Sequence, residues 1–472
     1  MRLTENSDEA VKTESGERSS KPGGRSEKNW TEGPILRNLW SLSWPMVVTN
    51  SLMMLGPTID MIWVGRLGSS SVAGVGVSGM AVQMVNGAMM GLAMGMRAVV
   101  ARYMGAGDIR GAVHAARQGF VLSATFSVLM AVIGFFLAEE ILLIFGLEPE
   151  VVSEGAGYMR ILFIGSVAMS FRTIAEGIMQ ASGDTISPMK ITIGFRVFHV
   201  ALCPFLVFGL WIFPRLGVSG AAVTNVVSQS IGTLISIWVL FSGHSRLKLD
   251  TKDFRVDVSM IWRIVRIGFP NLMSGLQRNL SQFVVMYLVA PFGTASVAAH
   301  TINQRVEMIL MMPAMAFGMA SSVLVGQNLG AGKPKRAEKG VWAAIGAVEI
   351  WVFVACLVLL FAAEGIVRIF NAEPAVVETT ATFLRIAAAG YILLGFQAVT
   401  MNSLSGAGDN VPSMITNIVT VWFISMPLAF FLPRITDLGV YGVRWGMVAG
   451  VIVPAVVLTI YFKTGRWKRK KV

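Results

Sequence analysis

One carboxylate stands inside a long apolar stretch near the beginning of the chain. The stretch reads LSWPMVVTNSLMMLGPTIDMIWVG from Leu42 onward, and Asp60 is its only charged residue. On membrane-insertion scales, an aspartate at the centre of a spanning helix costs about 2.5–3.5 kcal/mol. Asp60 is therefore a candidate functional group, able to carry a proton or to hold a sodium ion with neighbouring backbone carbonyls.

The residues around this acid favour a helix that can bend. Pro57 has no N–H to give to the carbonyl of Met53, so this acceptor is free and the helix can kink there. Met53, Gly56, Pro57 and Asp60 share one helical face. We predict a hinge at Pro57 beside a functional acid. The alternative is that Asp60 is hydrogen-bonded within the bundle and serves packing only.

Two later apolar segments of the first half also contain ionisable residues. Glu176 follows Arg172 by one helical turn, so it either only satisfies an ion pair with Arg172 or also belongs to a pocket. The segment GFRVFHVALCPFLVFG contains Arg196, His199 and Cys203. A buried histidine titrates readily, although it can equally be a hydrogen-bonded core residue. Arg196 can extend to the membrane surface.

Polar residues of the second half are expected to connect helices. Arg305 and Glu307 are two positions apart and do not share a helical face, so each is predicted to pair with another helix. Gln277, Arg278 and Gln282 lie in the preceding apolar segment, where hydrogen bonding across helices is the usual role. We assign this group an interhelical structural role.

The composition places these residues in a membrane protein. The chain of 472 residues is 54% hydrophobic and 14% charged, whereas a soluble domain has about 25% charged residues; its mean hydropathy is +0.64. Apolar stretches of about 20 residues recur, each long enough to span a bilayer as a helix. Because lipid offers the backbone no hydrogen-bond partners, we predict an all-α polytopic membrane protein.

The basic residues indicate topology and not a nucleic-acid partner. The net charge is +12, and its basic residues cluster in certain loops and in the final stretch KTGRWKRKK. This is typical of cytoplasmic segments, so both termini are predicted to be cytoplasmic, in the cell (plasma or inner) membrane. The final stretch either binds anionic lipid headgroups or only sets the topology. Cys203 and Cys356 lie in apolar runs and indicate neither a disulfide framework nor a metal cluster.

The two halves of the chain repeat each other. Displaced by 225 positions, RYMGAGD lies over QNLGAGK, AEEILLIFGLEPEVV over AEGIVRIFNAEPAVV, and ASGDTISPM over GAGDNVPSM. Each half has six apolar segments, and since six is even, the halves insert with the same orientation. Parallel repeats are a transporter architecture in which the substrate site lies between the halves.

The repeat divides the chain into two lobes of six predicted spans each. No nucleotide-binding loop, nucleophile–base motif or metal-ligand spacing stands out, so the sequence does not indicate an enzyme, and an ion gradient is the remaining energy source. The predicted parts are a disordered cytoplasmic tail at 1–34, an N-lobe at 35–245, a linker at 246–258, a C-lobe at 259–462 and a basic cytoplasmic tail at 463–472.

These motifs together resemble those of the multidrug and toxic compound extrusion (MATE) family. The GAGD and GAGK loops, LVGQNLGAG, the ASGDTISPM and GAGDNVPSM turns, and DMIWVGRLG carry the resemblance, which covers the chain from about residue 35 to 462. It implies a twelve-helix transporter with two six-helix lobes around a central cavity. It also implies export of cationic or amphiphilic compounds in exchange for protons or sodium ions.

Within the family, IDMIWVGRLG is similar to the first helix of the DinF-like branch, which implies that Asp60 is the coupling carboxylate. The fifth helix of that branch has a pattern like N-x-x-x-D-P, whereas this chain reads HVALCP. His199 thus replaces the asparagine and Cys203 the aspartate, while Pro204 is kept. We expect Asp60 to couple ions together with Glu176 and His199, with no cofactor other than the coupling ion.

Coupling through the C-lobe is not expected. The NorM-like branch carries acids in its seventh and tenth helices, whereas Arg278, Asn279 and Gln397 stand around those places here. Protons are favoured over sodium ions because a lone acid and a histidine need no ion cage.

A substrate pocket is predicted in the N-lobe. Flexible methionine side chains suit a pocket for varied apolar ligands, although most of the 29 methionines are expected to fill the core. The partners are then small organic cations or amphiphiles and the lipid bilayer, with the chain acting as a monomer. The predicted lining residues are Met46, Asn50, Met53, Asp60, Glu176, His199, Cys203 and Asn225.

Two other interpretations stay open. A flippase for a lipid or a lipid-linked sugar would share the fold, but its central cavity should be lined with many arginines. A channel or a non-transporting membrane scaffold would not need two pseudo-symmetric lobes.

Overall fold

The apolar stretches of the first half form six helices in the computed structural model of the protein. The structure describes residues 29–67, 69–144, 149–252, 254–370, 373–470 and 472. The six helices are α1 (Ile35–Val64), α2 (Ser69–Ala106), α3 (Ile109–Ile144), α4 (Pro149–Ser182), α5 (Ile186–Phe208) and α6 (Val218–Ser242).

The second half repeats this arrangement with two interruptions. A bend of 52° separates α10 from α11 where one straight segment was expected, and a π-helical turn at Thr420–Ser425 joins α12 to α13. Pro427 in the first turn of α13 has no N–H to donate, which disturbs the hydrogen-bond ladder before it. The helices are α7 (Val258–Val289), α8 (Thr294–Gly330), α9 (Pro334–Arg368), α10 (Pro374–Tyr391), α11 (Leu394–Ala407), α12 (Val411–Val419), α13 (Met426–Ile435) and α14 (Val440–Lys463).

Each half of the described chain contains six helical segments that are long enough to span a membrane, counting α10–α11 and α12–α13 as one segment each. By length and composition, ten helices can cross a membrane, with α12 and α13 counted as one, and the bent pair α10–α11 is an eleventh candidate. α7 has the length at 32 residues, but Arg263, Arg266 and Arg278 interrupt its apolar sequence. No strand occurs in the described parts of the chain. The predicted all-α polytopic fold class is confirmed.

The N-lobe (α1–α6) and the C-lobe (α7–α14) meet most closely at the end of the bundle that carries both chain termini, called here the termini end. There, α2 packs on the backbone of α7, and a Cβ atom on Gly91 or Gly95 would overlap Leu272 or Gly268. At Gly87, one turn further from this end, a Cβ atom would be 3.9 Å from the nearest atom of α7. The two helices therefore diverge, and a cleft opens between the lobes toward the opposite end.

The repeated GAG motifs close the termini end. Gly105 at the end of α2 and Gly330 at the end of α8 each lie against the other helix. A Cβ atom on Gly105 would overlap the carbonyl oxygen of Gln327, and one on Gly330 would overlap that of Arg102. The Gln327 side chain also donates a hydrogen bond of 2.8 Å to the carbonyl oxygen of Ala181 in the N-lobe. Only residues without a side chain permit this approach of the two backbones.

The start of the described chain is packed against both lobes. Residues 1–28 of the predicted disordered tail lie outside the described residues, but 29–34 are placed. Trp30 is buried, and its ring lies 5.0 Å from the guanidinium of Arg246. Arg336 of the C-lobe donates hydrogen bonds to the carbonyl oxygens of Glu32 and Gly33. This part of the predicted tail is therefore a fixed element, because an aromatic side chain is buried there.

The basic tail at 463–472 is likewise packed on the protein. Trp467 is fully buried and stacks on Phe462 with ring centroids 4.7 Å apart. Lys468 pairs with Glu338 at 2.6 Å, and the Lys470 carbonyl accepts a hydrogen bond from Arg102 of the N-lobe. The tail thus bridges the two lobes at the termini end, and these basic residues are engaged with protein groups.

We expect Gly105→Ala to open the termini end. The added methyl group must displace the backbone of Gln327, and the stiff α8 transmits that displacement to the whole C-lobe. Spin labels at the exposed positions Ile109 and Lys335 should then give a distance distribution shifted to longer values.

The matched control is Gly346→Ala in α9, where nothing lies within 4 Å of the added Cβ atom. This variant should leave the distribution unchanged. Identical distributions for the two variants would show that the glycine contact does not hold the lobes together.

Candidate functional site

Asp60 on α1 meets the predicted fifth-helix residues in the interior of the N-lobe. Its Oδ1 lies 2.8 Å from Nε2 of His199 and 3.7 Å from Sγ of Cys203. His199 and Cys203 are one turn apart on α5 and therefore share a face. All three side chains are buried, with Asp60 only 3% exposed. The structure thus brings together the acid and the two residues that depart from the family pattern.

Arg196 sets the hydrogen-bonding state of His199. Its Nη1 lies 3.3 Å from Nδ1 of His199, and since a guanidinium can only donate, Nδ1 is the acceptor. The ring hydrogen is then on Nε2 and is donated to Asp60. The imidazole ring therefore lies between the Arg196 guanidinium and the Asp60 carboxyl group.

The arginine does not extend to the membrane surface as the sequence suggested. Arg196 is 4% exposed and turns inward because α1 leaves room for it at Gly56, where a Cβ atom would overlap the guanidinium. Its Nη2 also lies 3.8 Å from Sδ of Met53. Met53, Gly56 and Asp60 thus face α5 together. α1 is helical through position 57; the side chain of Pro57 lies outside the described residues, so the hinge stays a prediction.

Glu176 belongs to a separate cluster. Its Oε1 accepts a hydrogen bond of 2.6 Å from Arg172, and Arg172 also donates to Gln229 of α6 at 2.6 Å. Arg172 is 1% exposed, and Glu176 is buried. In the described part of the chain, no hydrogen bond joins Glu176 to Asp60 or to His199.

One aromatic ring connects the two clusters. The guanidinium of Arg172 lies 5.0 Å from the ring centroid of Phe195, and that of Arg196 lies 5.3 Å from it. Both distances are typical of cation–π contacts. The clusters therefore share a neighbour but no hydrogen bond.

The other predicted lining residues are dispersed. Met46 is fully buried and packs with core residues of the C-lobe, so it does not line an open pocket here. Asn50 is half-buried and donates to Sδ of Met319 on α8 at 4.0 Å. Asn225 is half-buried on α6, one turn before Gln229. Among the described residues, no hydrogen bond joins Asn50 or Asn225 to Asp60, and their place in the substrate pocket stays a prediction.

The C-lobe contains a polar cluster that the sequence did not predict as a unit. Arg444 on α14 lies 3.6 Å from Glu307 on α8 and donates to the Tyr391 hydroxyl on the α10 side at 3.2 Å. His300 is buried beside it, and neither ring nitrogen has a hydrogen-bond partner among the described residues. The expected interhelical pairing of Glu307 is present, but only tertiary packing shows its partner.

The buried triad also has the donor types of a metal site. One ligand atom each from Asp60, His199 and Cys203 lies within 4.8 Å of the others. A metal on Nε2 of His199 would require a hydrogen on Nδ1, which Arg196 already faces with its own donor. A divalent ion would also lie close to that guanidinium. The arrangement therefore suits a proton better than a metal ion.

Comparisons with known proteins agree with the fold and the repeat. The MatE family model matches residues 45–205 and 270–431. The chain is 27% identical over 450 residues to the probable multidrug resistance protein NorM of Thermotoga maritima, covering 93% of this chain and 94% of that protein. It is 28% identical over 435 residues to the multidrug resistance protein NorM of Burkholderia vietnamiensis, covering 89% and 92%. A crystal structure of MATE in the bent conformation has the same fold, with a TM-score of 0.87 at 23% identity over 92% of this chain and 96% of that chain.

We expect Arg172→Met to destabilise the N-lobe strongly. The substitution leaves the Glu176 carboxylate and the Gln229 amide without their donor in a buried place, and breaking a buried ion pair costs about 3–5 kcal/mol. The unfolding midpoint of the purified protein in detergent should fall, and the double variant Arg172→Met/Glu176→Gln should recover part of the loss.

The matched control is Arg160→Met on the same helix, where the pair with Glu139 is about half exposed on both sides. Exposed pairs contribute about 0–1 kcal/mol, so this variant should change the midpoint little. A double variant no more stable than Arg172→Met would contradict the ion-pair explanation.

Proposed function

The chain belongs to the MatE family, and from that premise we propose that it is a secondary active antiporter that exports cationic or amphiphilic organic compounds in exchange for protons. The observation that carries the proposal is the buried chain of hydrogen bonds Arg196–His199–Asp60. It supplies one titratable carboxylate at the junction of α1 and α5, and α1 also lines the cleft.

Asp60 is the group that takes up the proton. If His199 were protonated instead, its Nδ1–H would face the donor of Arg196, and two donors would oppose each other. A proton on Asp60 removes the negative charge that offsets Arg196 and leaves a net positive charge in apolar surroundings. That state is unfavourable while α1 stays packed on α5, which favours a movement of α1.

The donors around Asp60 support protons over sodium ions. A sodium ion needs several oxygen ligands, as hard cations do. Oδ1 of Asp60 is instead approached by an N–H of His199 and by the thiol of Cys203, and Arg196 lies behind them. The imidazole N–H and the guanidinium stabilise a carboxylate and disfavour a cation beside it, and the thiol sulfur is a poor ligand for a hard ion.

The lobe arrangement supports alternating access. The lobes are joined at the termini end, and the loop charges predict that this end is cytoplasmic, so the cleft faces outward. A proton then enters from outside and binds Asp60 as the compound leaves. The lobes close over the empty, protonated site, and the proton is released inside the cell. One chain holds both lobes, so we take the monomer, in the inner membrane, as the working unit.

We expect Asp60→Asn to abolish proton-driven transport. In inside-out membrane vesicles with an acidic lumen, the fluorescent cation rhodamine 6G should accumulate with wild-type protein and stay at the protein-free level with Asp60→Asn, because the amide cannot carry a proton.

The exposed Asp437→Asn is the matched control and should transport at the wild-type rate. A sodium gradient without a pH gradient should drive no accumulation of rhodamine 6G. Full transport by Asp60→Asn would refute the assignment, and a steady conductance in place of gradient-driven uptake would indicate a channel.

His199→Gln should keep proton-driven transport, with an altered dependence on pH. The amide N–H can still donate to Asp60, although it cannot titrate, so the positioning role survives. His199→Leu removes the donor and should lose transport. If His199→Gln were as inactive as His199→Leu, while both folded, the proton would belong to the imidazole and not to the carboxylate.

A further inference from the structure

Two arginines of the C-lobe have no partner among the described residues. The guanidinium groups of Arg278 on α7 and Arg305 on α8 form no ion pair or hydrogen bond there, whereas Arg172 and Arg444 inside the bundle are paired. Both side chains are exposed. An unpaired charge within a spanning segment persists where it faces a water-filled cavity. The two residues are therefore expected to face the cleft between the lobes.

Arg278 points away from the lipid. The exposed apolar residues Phe269, Leu280 and Tyr287 lie along one side of α7, as expected for a lipid-facing row. Arg278 is two positions before Leu280, which places it on the opposite side of the helix. Nearer the termini end, this side carries the buried Asn271. An exposed side chain on the inner side of α7 lies in the cleft.

Arg305 points toward the N-lobe. Met312 and Met319 on α8 contact α1, accepting hydrogen bonds from Ser51 at 3.6 Å and from Asn50 at 4.0 Å. Arg305 precedes Met312 by seven positions, so it continues the same row of α8 away from the closed end. Since the lobes diverge in that direction, Arg305 remains exposed and faces the cleft.

A hydrogen bond places the two arginines on one wall. Gln304 on α8 donates a hydrogen bond of 2.6 Å to the side chain of Gln282 on α7. This is the cross-helix hydrogen bonding that was expected of Gln282. Arg278 lies one turn before Gln282, and Arg305 directly follows Gln304. Both guanidinium groups therefore flank the same crossing of α7 and α8.

The described part of α1 that faces the cleft carries an uncharged row of residues toward the open end. Displaced by the repeat of 225 positions, Arg278 and Arg305 correspond to Met53 and Met80. The row of α1 that continues from Ser51 toward the open end is formed by Met54, Thr58 and Ile62. Among the described residues, the cleft thus has two arginines on its C-lobe wall and an uncharged row of α1 on its N-lobe wall.

We propose that Arg278 and Arg305 bind an anionic group, a carboxylate or a phosphate, of an amphiphilic transported compound whose apolar part contacts the N-lobe wall. Guanidinium groups recognise such anions through paired hydrogen bonds. The role in transport rests on the proposed export function, but the binding site does not. The substrates are then anionic or zwitterionic amphiphiles as well as cations.

The nearby acids do not occupy these arginines. Glu307 is directed to Arg444 on another side of α8, and Asp60 is held by His199 inside the N-lobe. The proton site and the anion site therefore lie in different lobes, and their charges do not neutralise each other.

The test uses three probes with the same apolar ring: anthracene carboxylate, its methyl ester and the corresponding trimethylammonium compound. Binding is measured by fluorescence titration of the full chain in nanodiscs of phosphatidylcholine. Arg278→Met and Arg305→Met, which copy the residues of the first repeat, should each weaken carboxylate binding by about tenfold or more, as expected for a lost charge-assisted hydrogen bond. Binding of the ester should change by less than about twofold, since dispersion contacts are kept.

Two controls keep the result specific. Arg278→Lys should retain part of the carboxylate affinity, because the charge is kept while the paired geometry is lost. Arg160→Met removes a positive charge outside the cleft and should leave all three affinities unchanged. Equal losses for carboxylate and ester, or no loss for either, would overturn the proposal.

A further experiment tests whether the two arginines bind a soluble amphiphile or a lipid headgroup. The carboxylate affinity should be the same in nanodiscs that contain phosphatidylglycerol. Displacement in proportion to the anionic lipid would assign the site to headgroups and overturn the substrate role. The binding measurement uses no gradient and is therefore independent of the transport assay. If proton-driven transport failed, the binding result would still be valid. If binding failed, the proposal of proton coupling at Asp60 would be unaffected.

Discussion

The hydrogen bond between Asp60 and His199 joins α1 to α5, and the arrangement of the N-lobe interior depends on it. A carboxylate in apolar surroundings is stable only when donors are directed at it, and the 2.8 Å contact supplies one. Arg196 keeps the imidazole in the tautomer that donates, and Gly56 leaves the space that Arg196 occupies. α1 cannot leave α5 without breaking this contact. This is why the proposed mechanism links protonation of Asp60 to a movement of α1.

Every charge within the bundle needs a partner or water, and this need separates the remaining charged residues into two groups. Arg172 pairs with Glu176 on its own helix and reaches α6 through Gln229, and Arg444 on α14 pairs with Glu307 on α8, so both charges have partners within their own lobes. Arg278 and Arg305 have none among the described residues, and both side chains are exposed. An ionisable residue within a spanning segment that lacks a structural partner is a candidate functional group, which is the basis of the anion-binding proposal.

Local and repeated patterns explain what could be predicted from the sequence. Asp60 stands out against an uninterrupted apolar run, and His199 occupies a place in a pattern that the family resemblance identifies. The inward turn of Arg196 could not be predicted, because it depends on the gap that Gly56 creates on another helix. The burial of Met46 against the C-lobe depends on which ends of the lobes are in contact. The six-span repeat was predicted well, since hydropathy reports spans directly, but the bend between α10 and α11 was not.

The two repeats diverge at the positions of the proposed proton site and the proposed anion site. The position equivalent to Asp60 is Val285, which is buried in the core of the C-lobe, so no second acid was kept there. Conversely, the N-lobe has methionines where the C-lobe has Arg278 and Arg305. Asp60 and the two arginines lie in different lobes, and no ion pair joins them among the described residues. In the mechanism proposed above, the proton and the anionic ligand therefore have separate groups, which are coupled only through the movement of one lobe against the other.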